Sequence, residues 1–399
     1  MNSFAIALPL ALAYLRERPL ATMLNILLLG LGVGTIIALA LTLSQLEQRM
    51  ARDAAGIDLV IGAKGSPLQL ILSTVFQIDI ATGNISVAEA AKVVADPVVK
   101  LAIPLALGDS FKTFRIVGTN AAYVKLYAAS LQTGRLWQAP MEAVVGAEAA
   151  RLAGLTTGMV FAGSHGLSDG SGGHAQHPYT VVGVLSPTGA VIDRLILTDV
   201  ESVWKVHAHP AESAGDGNGN EVTAYLIQYA TPLAAASFPR KVNAGSGLQS
   251  AAPAMETARL FNLLGVGINV IKSFAVVMML SAAIGIFVGL MNALEERRAD
   301  LALLRVLGAG RPTVFLTIIT QGAVLGLAGV ILGAVVGHAG AEWIGVALEK
   351  NQRLSLTGYT LVRDELWVTA GAMALALLAG VLPAWRAYRN AVPELLSRV

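Results

Sequence analysis

The sequence has 399 residues, of which 55% are hydrophobic and only 14% are charged, and its mean hydropathy is +0.64. Soluble globular proteins average about 25% charged residues, so this composition indicates a membrane protein. The formal net charge of +2 gives no indication of nucleic-acid binding, and the lack of cysteine excludes disulfides, thiolate metal sites and cysteine nucleophiles.

The chain begins with an apolar segment, "MNSFAIALPLALAYL", that is similar to the core of a signal peptide. It has no basic region before it, however, and a full membrane span follows at once. Residues 1–19 are therefore predicted to form an interfacial helix on the cytoplasmic leaflet. Residues 20–44 carry no charge, and a bilayer core requires roughly 20 apolar residues in a helix, so they are predicted to be the first transmembrane helix.

Three further segments are long and apolar enough to span a bilayer, namely residues 273–294, 312–341 and 366–385. Basic residues flank the spans in three clusters: Arg16 and Arg18; Arg297, Arg298, Arg305 and Arg311; Arg386, Arg389 and Arg398. The positive-inside rule assigns all three clusters to the cytoplasm. The chain is thus predicted to be a multi-pass membrane protein with both termini in the cytoplasm, including a tail of residues 386–399.

The segment between the first two spans, residues 45–272, is predicted to be a large extracytoplasmic α/β domain. Strands are indicated by β-branched and aromatic runs: "IDLVIGA", "VVKLAIPLAL", "TFRIVGT", "YTVVGVL", "RLILT" and "VTAYLIQYA". "SVAEAAKVVAD" is predicted to be a helix that starts with a capping box of Ser86 and Glu89. Helical patterns after the first span and before the second predict stalk-like extensions, and residues 342–365 are predicted to be a short outer loop.

Few motifs of nucleotide-binding or catalytic sites occur. "GAKGSP" at residues 62–67 contains the residues of a phosphate loop in the wrong order for a Walker A motif, so a turn is the preferred interpretation. No Walker A, Gly-x-Ser-x-Gly or His-Glu-x-x-His motif is present in the sequence. Any ATPase activity is therefore expected in a partner chain, and this chain is not expected to be an enzyme.

Glycines recur in two of the predicted spans. The third span contains five at steps of four, three, four and four residues, which places them on one helical face, and the second span contains two. These helix-packing candidates are Gly322, Gly326, Gly329, Gly333, Gly337, Gly285 and Gly289. Small residues at this spacing let helix backbones approach closely. Packing within the chain is the favoured interpretation, and a dimer or a moving interface is the alternative.

The predicted extracytoplasmic domain of residues 45–272 is called the outer domain below. One 45-residue stretch of it contains five of the six histidines: His165, His174, His177, His207 and His209. Imidazole nitrogens with a carboxylate are ligands that suit Zn²⁺, and Asp169 and Asp193 lie nearby in the sequence. Zinc binding is one hypothesis for this segment. A solvated Gly/Ser-rich loop that contains histidines without a metal is the other.

The segment of residues 295–311 is highly charged and lies between two spans. Glu295 and Arg298 can pair at i, i+3, leucines form a narrow apolar face, and Gly308 and Gly310 can end the helix. A short amphipathic helix at the cytoplasmic surface is predicted. It is either an interfacial helix without a partner or a docking helix for a cytoplasmic protein.

Two groups of motifs then resemble a known family. "NALEERRADLALLRVLGAGRPTVFLTIITQGAVLGLAGVILGAVVG" and the closing "LPAWRAYRNAVPELL" resemble the FtsX-like permease domain of MacB- and LolC/E-type ABC transporters. "DLVIGAKGSPLQ", "IPLALGDSFKTFRIVGTN" and "EAVVGAEAARLAGLTTGMVF" resemble the MacB-type periplasmic domain. The family topology, with one outer domain between the first and second of four helices, agrees with the topology predicted from the flanking charges.

The resemblance implies a permease subunit of the bacterial cell (inner) membrane that works with two cytoplasmic ABC ATPases, which bind ATP and Mg²⁺. It also implies that the permease pairs, either with a second copy of itself as a homodimer or with a related permease as a heterodimer. In the family such systems are described as mechanotransmitters. The residues that would contact the ATPase are Glu295, Glu296, Arg297, Arg298, Leu301, Leu304, Arg305, Leu307, Gly308 and Gly310. Unlike MacB, these 399 residues include no fused ATPase domain.

The cargo stays open at this stage: a lipoprotein, lipid, peptide or drug is expected to be exported or extracted. Zinc-linked transport or sensing through the histidine segment is one alternative. A transmembrane regulator of a periplasmic enzyme, without transport, is another. Whatever the cargo, contacts with membrane lipid and with a periplasmic protein partner are expected. No cofactor is expected on the chain itself, with Zn²⁺ as the one candidate.

Overall fold

The protein is described here by a computed structural model covering residues 3–165, 176–207, 220–296, 303, 310–352 and 356–389. The chain folds as two compact units. The first comprises residues 1–46 and 264–399, and the second comprises residues 47–263.

Eleven helices are numbered here in chain order within the described ranges. They are α1 (Ser3–Glu17), α2 (Pro19–Asp53), α3 (Pro67–Thr74), α4 (Val87–Val94), α5 (Ala121–Leu126), α6 (Ala147–Ala153), α7 (Val200–His207), α8 (Ala234–Gly245), α9 (Pro253–Glu296), α10 (Arg311–Gln352) and α11 (Arg363–Arg389). A 3₁₀ turn occupies Val191–Arg194. Helices α2, α9, α10 and α11 are long and apolar enough to cross a membrane.

Thirteen strands are described in the same ranges. They are β1 (Leu59–Ala63), β2 (Ile85–Ser86), β3 (Val99–Phe111), β4 (Phe114–Thr119), β5 (Leu131–Gly134), β6 (Glu142–Val145), β7 (Val160–Phe161), β8 (Ser164–His165), β9 (Tyr179–Leu185), β10 (Ile196–Asp199), β11 (Glu221–Val222), β12 (Ala224–Tyr229) and β13 (Leu248–Ala251). All of them lie between α2 and α9, which makes the second unit an α/β domain inserted after the first membrane helix, as the sequence predicted.

The first unit is a bundle of apolar helices. Its core contains residues from all four long helices, including Leu29, Ile37, Ile286, Leu325 and Ala376. The amphipathic helix α1 also belongs to this unit, with Ala7 and Ala11 fully buried while Leu8 and Leu12 are partly exposed. Each of the four predicted spans lies within a longer helix. The segment predicted as an outer loop, residues 342–365, begins as helix because α10 continues to Gln352, a stretch that contains no proline to stop it.

The second unit is built on one large mixed sheet, whose main strand order is β13-β1-β12-β3-β4-β10-β6-β9-β5. The pairs β4–β10 and β6–β9 are parallel, whereas the other pairs are antiparallel. Two apolar cores cover different parts of the sheet: one includes Leu59, Ile227 and Phe238, and the other includes Phe114 and Tyr179.

The longest strand, β3, joins the two parts of the sheet. Its first half pairs with β12, and its second half pairs with β4 and β8. The register against β4 shifts between Leu107 and Asp109, so Gly108 forms a bulge. Bulges re-aim the side chains that follow them, and the next residue is Asp109.

The predicted capping box at α4 is wrong. Ser86 does precede α4 with an extended backbone, but its side chain makes no capping hydrogen bond. Glu89 instead accepts a hydrogen bond at 2.9 Å from the backbone N–H of Gly247, in the turn before β13. A tertiary contact between α4 and the segment that follows α8 has therefore replaced the local one.

Candidate functional site

The glycine face of α10 contacts two helices of the same chain, one after the other. Toward its C-terminal end it lies against α2, where a Cβ added to each glycine would fall 2.6 to 2.8 Å from a side-chain atom of an apolar residue. These contacts pair Gly329 with Leu29, Gly333 with Val33 and Gly337 with Ile37. Such distances are too short for any side chain, so glycine sets the approach of the two helices.

The first part of the same face lies against α11. A Cβ at Gly322 would fall 2.9 Å from the carbonyl oxygen of Ala376, and one at Gly326 would fall 2.7 Å from the Ala376 Cβ. On α9, Gly285 lies against the side chain of Asn25, whereas Gly289 has no described atom within 4 Å of an added Cβ. The predicted packing glycines therefore do not share one partner, and Gly289 has none among the described residues of this chain.

A polar cluster connects the end of the α2 segment in the first unit to the loop before α11. Gln45 donates from Nε2 to the carbonyl oxygen of Thr357 at 2.7 Å and accepts from the Thr357 N–H at 3.0 Å. Glu342 of α10 accepts from the Gly358 N–H at 2.7 Å. Two residues of the loop are thus held by two different helices through side chain-to-backbone hydrogen bonds.

The charged segment after α9 lies mostly outside the described residues, including Arg297, Arg298, Leu301, Leu304, Arg305, Leu307 and Gly308. At its start, Glu295 and Glu296 are the last residues of α9, and the Glu296 carboxylate pairs with Arg18. At its end, Gly310 accepts a hydrogen bond at 3.1 Å from the N–H of Thr313 in the first turn of α10.

In the outer domain, the end of α2 is held by a buried carboxylate, Asp53, which is 2% exposed. Its Oδ1 accepts a hydrogen bond at 2.7 Å from the N–H of Val191, and its Oδ2 lies 3.9 Å from the Arg194 guanidinium. Its backbone oxygen accepts at 2.8 Å from the hydroxyl of Tyr127. Two segments distant in the sequence therefore hold the last residue of the helix.

Burial perturbs the groups around Asp53. Desolvation lowers the pKa of Arg194, and the nearby positive charge of Arg49 lowers it further. Desolvation also raises the pKa of the Tyr127 hydroxyl well above its ordinary value, which favours the neutral form that donates to the Asp53 carbonyl oxygen. The Tyr123 ring packs edge-on against Tyr127 with 5.2 Å between centroids. No pattern in the sequence had singled out Asp53.

The five histidines proposed as zinc ligands fall into three groups. His174 and His209 lie outside the described residues, as does Asp169. His177 is exposed in the turn before β9. His165 ends the short strand β8, and His207 ends α7.

Of the two aspartates in the sequence hypothesis, only Asp193 lies within the described residues, and it has other partners. The Asp193 carboxylate instead accepts hydrogen bonds from the Thr188 and Gly189 N–H groups at 2.7 to 3.0 Å, which closes a turn. A carboxylate that the sequence had not indicated, that of Asp109, takes its place: its Oδ1 lies 3.4 Å from His207 Nε2.

The side chain of Asp109 is 1% exposed, and its proximity raises the pKa of His207 against the opposing effect of burial. Asp109 is also directly opposite His165 in the β3–β8 register. Among the side chains that the structure describes, no three His, Asp or Glu groups together form a metal-binding arrangement.

"GAKGSP" forms the end of β1 and the entry to α3. The side chain of Ser66 caps α3 by accepting a hydrogen bond from the Gln69 N–H at 3.4 Å, and Pro67 occupies the first helical position. The motif thus has a local structural role as a turn and helix start.

Comparison with known proteins gives two family matches that together span most of the chain. Residues 22–238 match the MacB-like periplasmic core domain, and residues 272–392 match the FtsX-like permease C-terminal domain. Among solved structures, the extracellular domain of the noncanonical ABC-type transporter YknZ from Gram-positive bacteria is similar at 15% sequence identity. That match covers 49% of this chain and 98% of the YknZ domain with a TM-score of 0.30. No curated protein sequence matches the chain.

Proposed function

Because the chain belongs to the ABC-type permeases of the FtsX and MacB type, we propose that it couples ATP hydrolysis on separate cytoplasmic ATPase subunits to movement of its outer domain. Two ATPase subunits and two copies of this permease would form the complex in the bacterial cell membrane, with both termini of each permease in the cytoplasm. The cargo would be a lipoprotein, lipid, peptide or drug that is extracted or expelled on the outer side.

The single observation that carries this proposal is the continuity of α2. This helix runs without a break from Pro19 to Asp53, and its last residue is fixed in the outer domain by Val191, Arg194 and Tyr127. In our proposal, a helix without a break and with its last residue held would pass a displacement on, whereas a flexible linker would absorb it. Helix α9 supplies a second unbroken connection, from Pro253 to Glu296.

The cytoplasmic end of the proposed path is the segment 295–310. It follows α9 directly and leads into α10, so a push on this segment would act on two membrane helices at once. We propose that its charged and leucine residues seat in the ATPase. The pairing of Glu296 with Arg18 would hold the first residues of the segment against the start of α2.

Substitution of two exposed residues of α2, Glu47 and Gln48, tests the proposal. Glu47→Gly with Gln48→Gly weakens the helix by about 1 kcal/mol per glycine relative to alanine. Glu47→Ala with Gln48→Ala is the matched control, because it removes the same side chains and keeps the helix. The natural chain has no cysteine, so a cysteine introduced at the exposed Arg151 of α6 carries a spin label at one defined site.

The measurement is the label-to-label distance between the two permease copies, with and without ATP, in the complex with the ATPase. The unmodified chain and the alanine variant should show an ATP-dependent change, and the glycine variant should lose it while ATP hydrolysis continues. An equal distance change in the glycine variant would exclude transmission through α2. The absence of any ATP-dependent change in the unmodified chain would refute the mechanical proposal altogether.

A further inference from the structure

The sixth histidine of the chain, His338, is the only one outside residues 45–272, and it lies on α10 within the third predicted span. Ionisable side chains in membrane spans are costly, and they usually have a partner and a functional role. The partner of His338 is Glu365 in the first turn of α11, with 3.3 Å between Nε2 and Oε2. Glu365 is only 8% exposed. Two titratable groups therefore link the third and fourth membrane helices.

Each ring nitrogen of His338 lies next to an oxygen atom that accepts hydrogen bonds. Nδ1 contacts the carbonyl oxygen of Gly358, and a carbonyl oxygen can only accept, so Nδ1 carries a hydrogen. Nε2 faces the Glu365 carboxylate. A neutral imidazole has only one N–H donor, and an ionised carboxylate has none. The arrangement therefore requires one additional proton, either on Nε2 or on the Glu365 carboxyl group, and in both cases the two residues share it.

The same two side chains also hold the loop before α11. Glu365 accepts a hydrogen bond on Oε1 from the Val362 N–H at 3.0 Å, and His338 contacts the Gly358 carbonyl oxygen. Glu342, one turn after His338 on α10, accepts from the Gly358 N–H at 2.7 Å. Gly358 is thus held from α10 through both of its backbone groups, and Val362 is held from α11. A change in the His338–Glu365 contact would act on both loop residues.

The charged groups around this imidazole come from both helices that carry the pair. Glu342 belongs to α10 and Glu365 belongs to α11. The two residues before Glu365, Arg363 and Asp364, are exposed and have opposite charges. Helix α2 also packs against α10, and it has no charged residue among residues 20–46. Two carboxylates thus lie on the helices that would balance a positive charge on the imidazole.

We propose that His338 and Glu365 bind one proton between them, and that this proton fastens the loop before α11 to the membrane helices. When the proton is released to solvent, the Nε2 lone pair faces an ionised carboxylate, and the contact between the two side chains is lost. The loop is therefore held at low pH and loosened as the pH rises. This site goes beyond the proposed permease function and does not depend on coupling to an ATPase, so a failure of one does not bear on the other.

The test is hydrogen–deuterium exchange of the full-length chain in detergent, followed at the amides of Gly358 and Val362. Exchange is measured at about pH 5.5 and about pH 8.5, on either side of the ordinary histidine pKa. Protection is expressed as the ratio of intrinsic to observed rate, which removes the ordinary pH dependence of exchange. The variants are Glu365→Gln and His338→Gln. His177→Gln is the matched control, because it removes an exposed histidine that the proposed site does not use.

In the unmodified chain, protection at both amides should fall roughly 2- to 10-fold from the lower to the higher pH, as expected for the loss of one hydrogen bond. Glu365→Gln should keep the high protection at both pH values, because its amide N–H donates to the neutral Nε2 in place of the shared proton. His338→Gln should show no pH-dependent fall, because the titrating imidazole is absent. His177→Gln should show the same fall as the unmodified chain.

Three results would overturn the proposal. One is equal protection of the unmodified chain at the two pH values. Another is the full pH-dependent fall in Glu365→Gln or in His338→Gln, which would assign the titration to a different group such as Glu342. The third is loss of the pH response in His177→Gln. A thermal unfolding curve checks that each variant has folded. If His338→Gln does not fold, Glu365→Gln still decides, since it keeps the size of the side chain and supplies the missing hydrogen.

Discussion

The carboxylate of Asp53 accepts a hydrogen bond from the backbone N–H of Val191 over 2.7 Å, although the two residues are 138 positions apart. A negative charge at the C-terminal end of a helix opposes the helix dipole, so Asp53 does not stabilise α2 as an isolated helix. Its place at the end of α2 is explained by the tertiary contacts with Val191, Arg194 and Tyr127. The residue thus fixes the helix end in the outer domain.

Asp53→Ala should destabilise the outer domain strongly. The change leaves the Val191 N–H without its acceptor and removes the carboxylate that lies 3.9 Å from the buried Arg194 guanidinium. Breaking a buried pair in this way costs about 3 kcal/mol or more. For a domain of this size that corresponds to a fall of roughly 6–12 °C in the thermal unfolding midpoint.

Asp58→Ala is the matched control for that change. Asp58 also accepts a backbone hydrogen bond, from the Tyr229 N–H at 2.7 Å, but it does so at an exposed position, so its loss should cost only about 1 kcal/mol. Calorimetric unfolding of the full-length chain in detergent measures both variants. Equal midpoints for the two would show that Asp53 does not clamp the helix.

Gly333→Ala should disturb the packing of α10 on α2. The new Cβ would fall 2.6 Å from Val33 and 2.9 Å from the Gly30 carbonyl oxygen, and forced overpacking of this kind costs about 1–3 kcal/mol. Gly371→Ala on α11 is the control, because an added Cβ there has no described atom within 4 Å. The unfolding midpoint should fall for the first variant and stay level or rise for the second. A level midpoint for Gly333→Ala would mean that α2 and α10 do not approach this closely.

Gln45→Leu should loosen the loop of residues 356–362. The substitution removes both hydrogen bonds with the Thr357 backbone, and each contributes about 0.5–1.5 kcal/mol net. Hydrogen–deuterium exchange should become roughly 2- to 10-fold faster at the Thr357 amide, which donates to Gln45. Gln48→Leu, at an exposed position one turn further along α2, should leave that exchange rate unchanged. The same protection in both variants would contradict the described cluster.

The sequence predicted the membrane helices and the inserted α/β domain because these depend on local composition and periodicity. An uncharged run such as residues 20–44 indicates a span whatever surrounds it. The apolar run does not predict how far each helix continues beyond it. Helix α10 extends to Gln352, past the predicted span that ends at residue 341.

Residues whose roles depend on long-range pairing could not be found in this way. Asp109 is 98 positions from His207, and only the bulge in β3 and the β3–β8 register bring it to the histidine region. Asp193 looked closer in the sequence, yet it closes its own turn. Glu89 had the spacing of a capping box but binds Gly247 instead, since a tertiary partner outcompeted the local one.

The coupling hypothesis makes a prediction that is independent of the outer domain. Leu304 and Leu307 belong to the apolar face predicted for the segment 295–311, and burying a charge in an apolar contact is costly. Leu304→Asp with Leu307→Asp should therefore abolish association with the ATPase subunit and any stimulation of its activity. Membrane insertion and the unfolding midpoint should stay the same.

Ala302→Asp is the control for this double variant. Ala302 is two residues before Leu304 in the sequence, which in a helix corresponds to a rotation of about 200°, away from the predicted face. Co-purification of the ATPase with the tagged permease measures association directly. If the double variant still retains the ATPase while Ala302→Asp loses it, the contact is on the opposite side of the predicted helix. If both variants retain the ATPase with normal activity, the segment does not seat in the ATPase, and transmission would have to start from another element such as α1, which the flanking charges predict to be cytoplasmic.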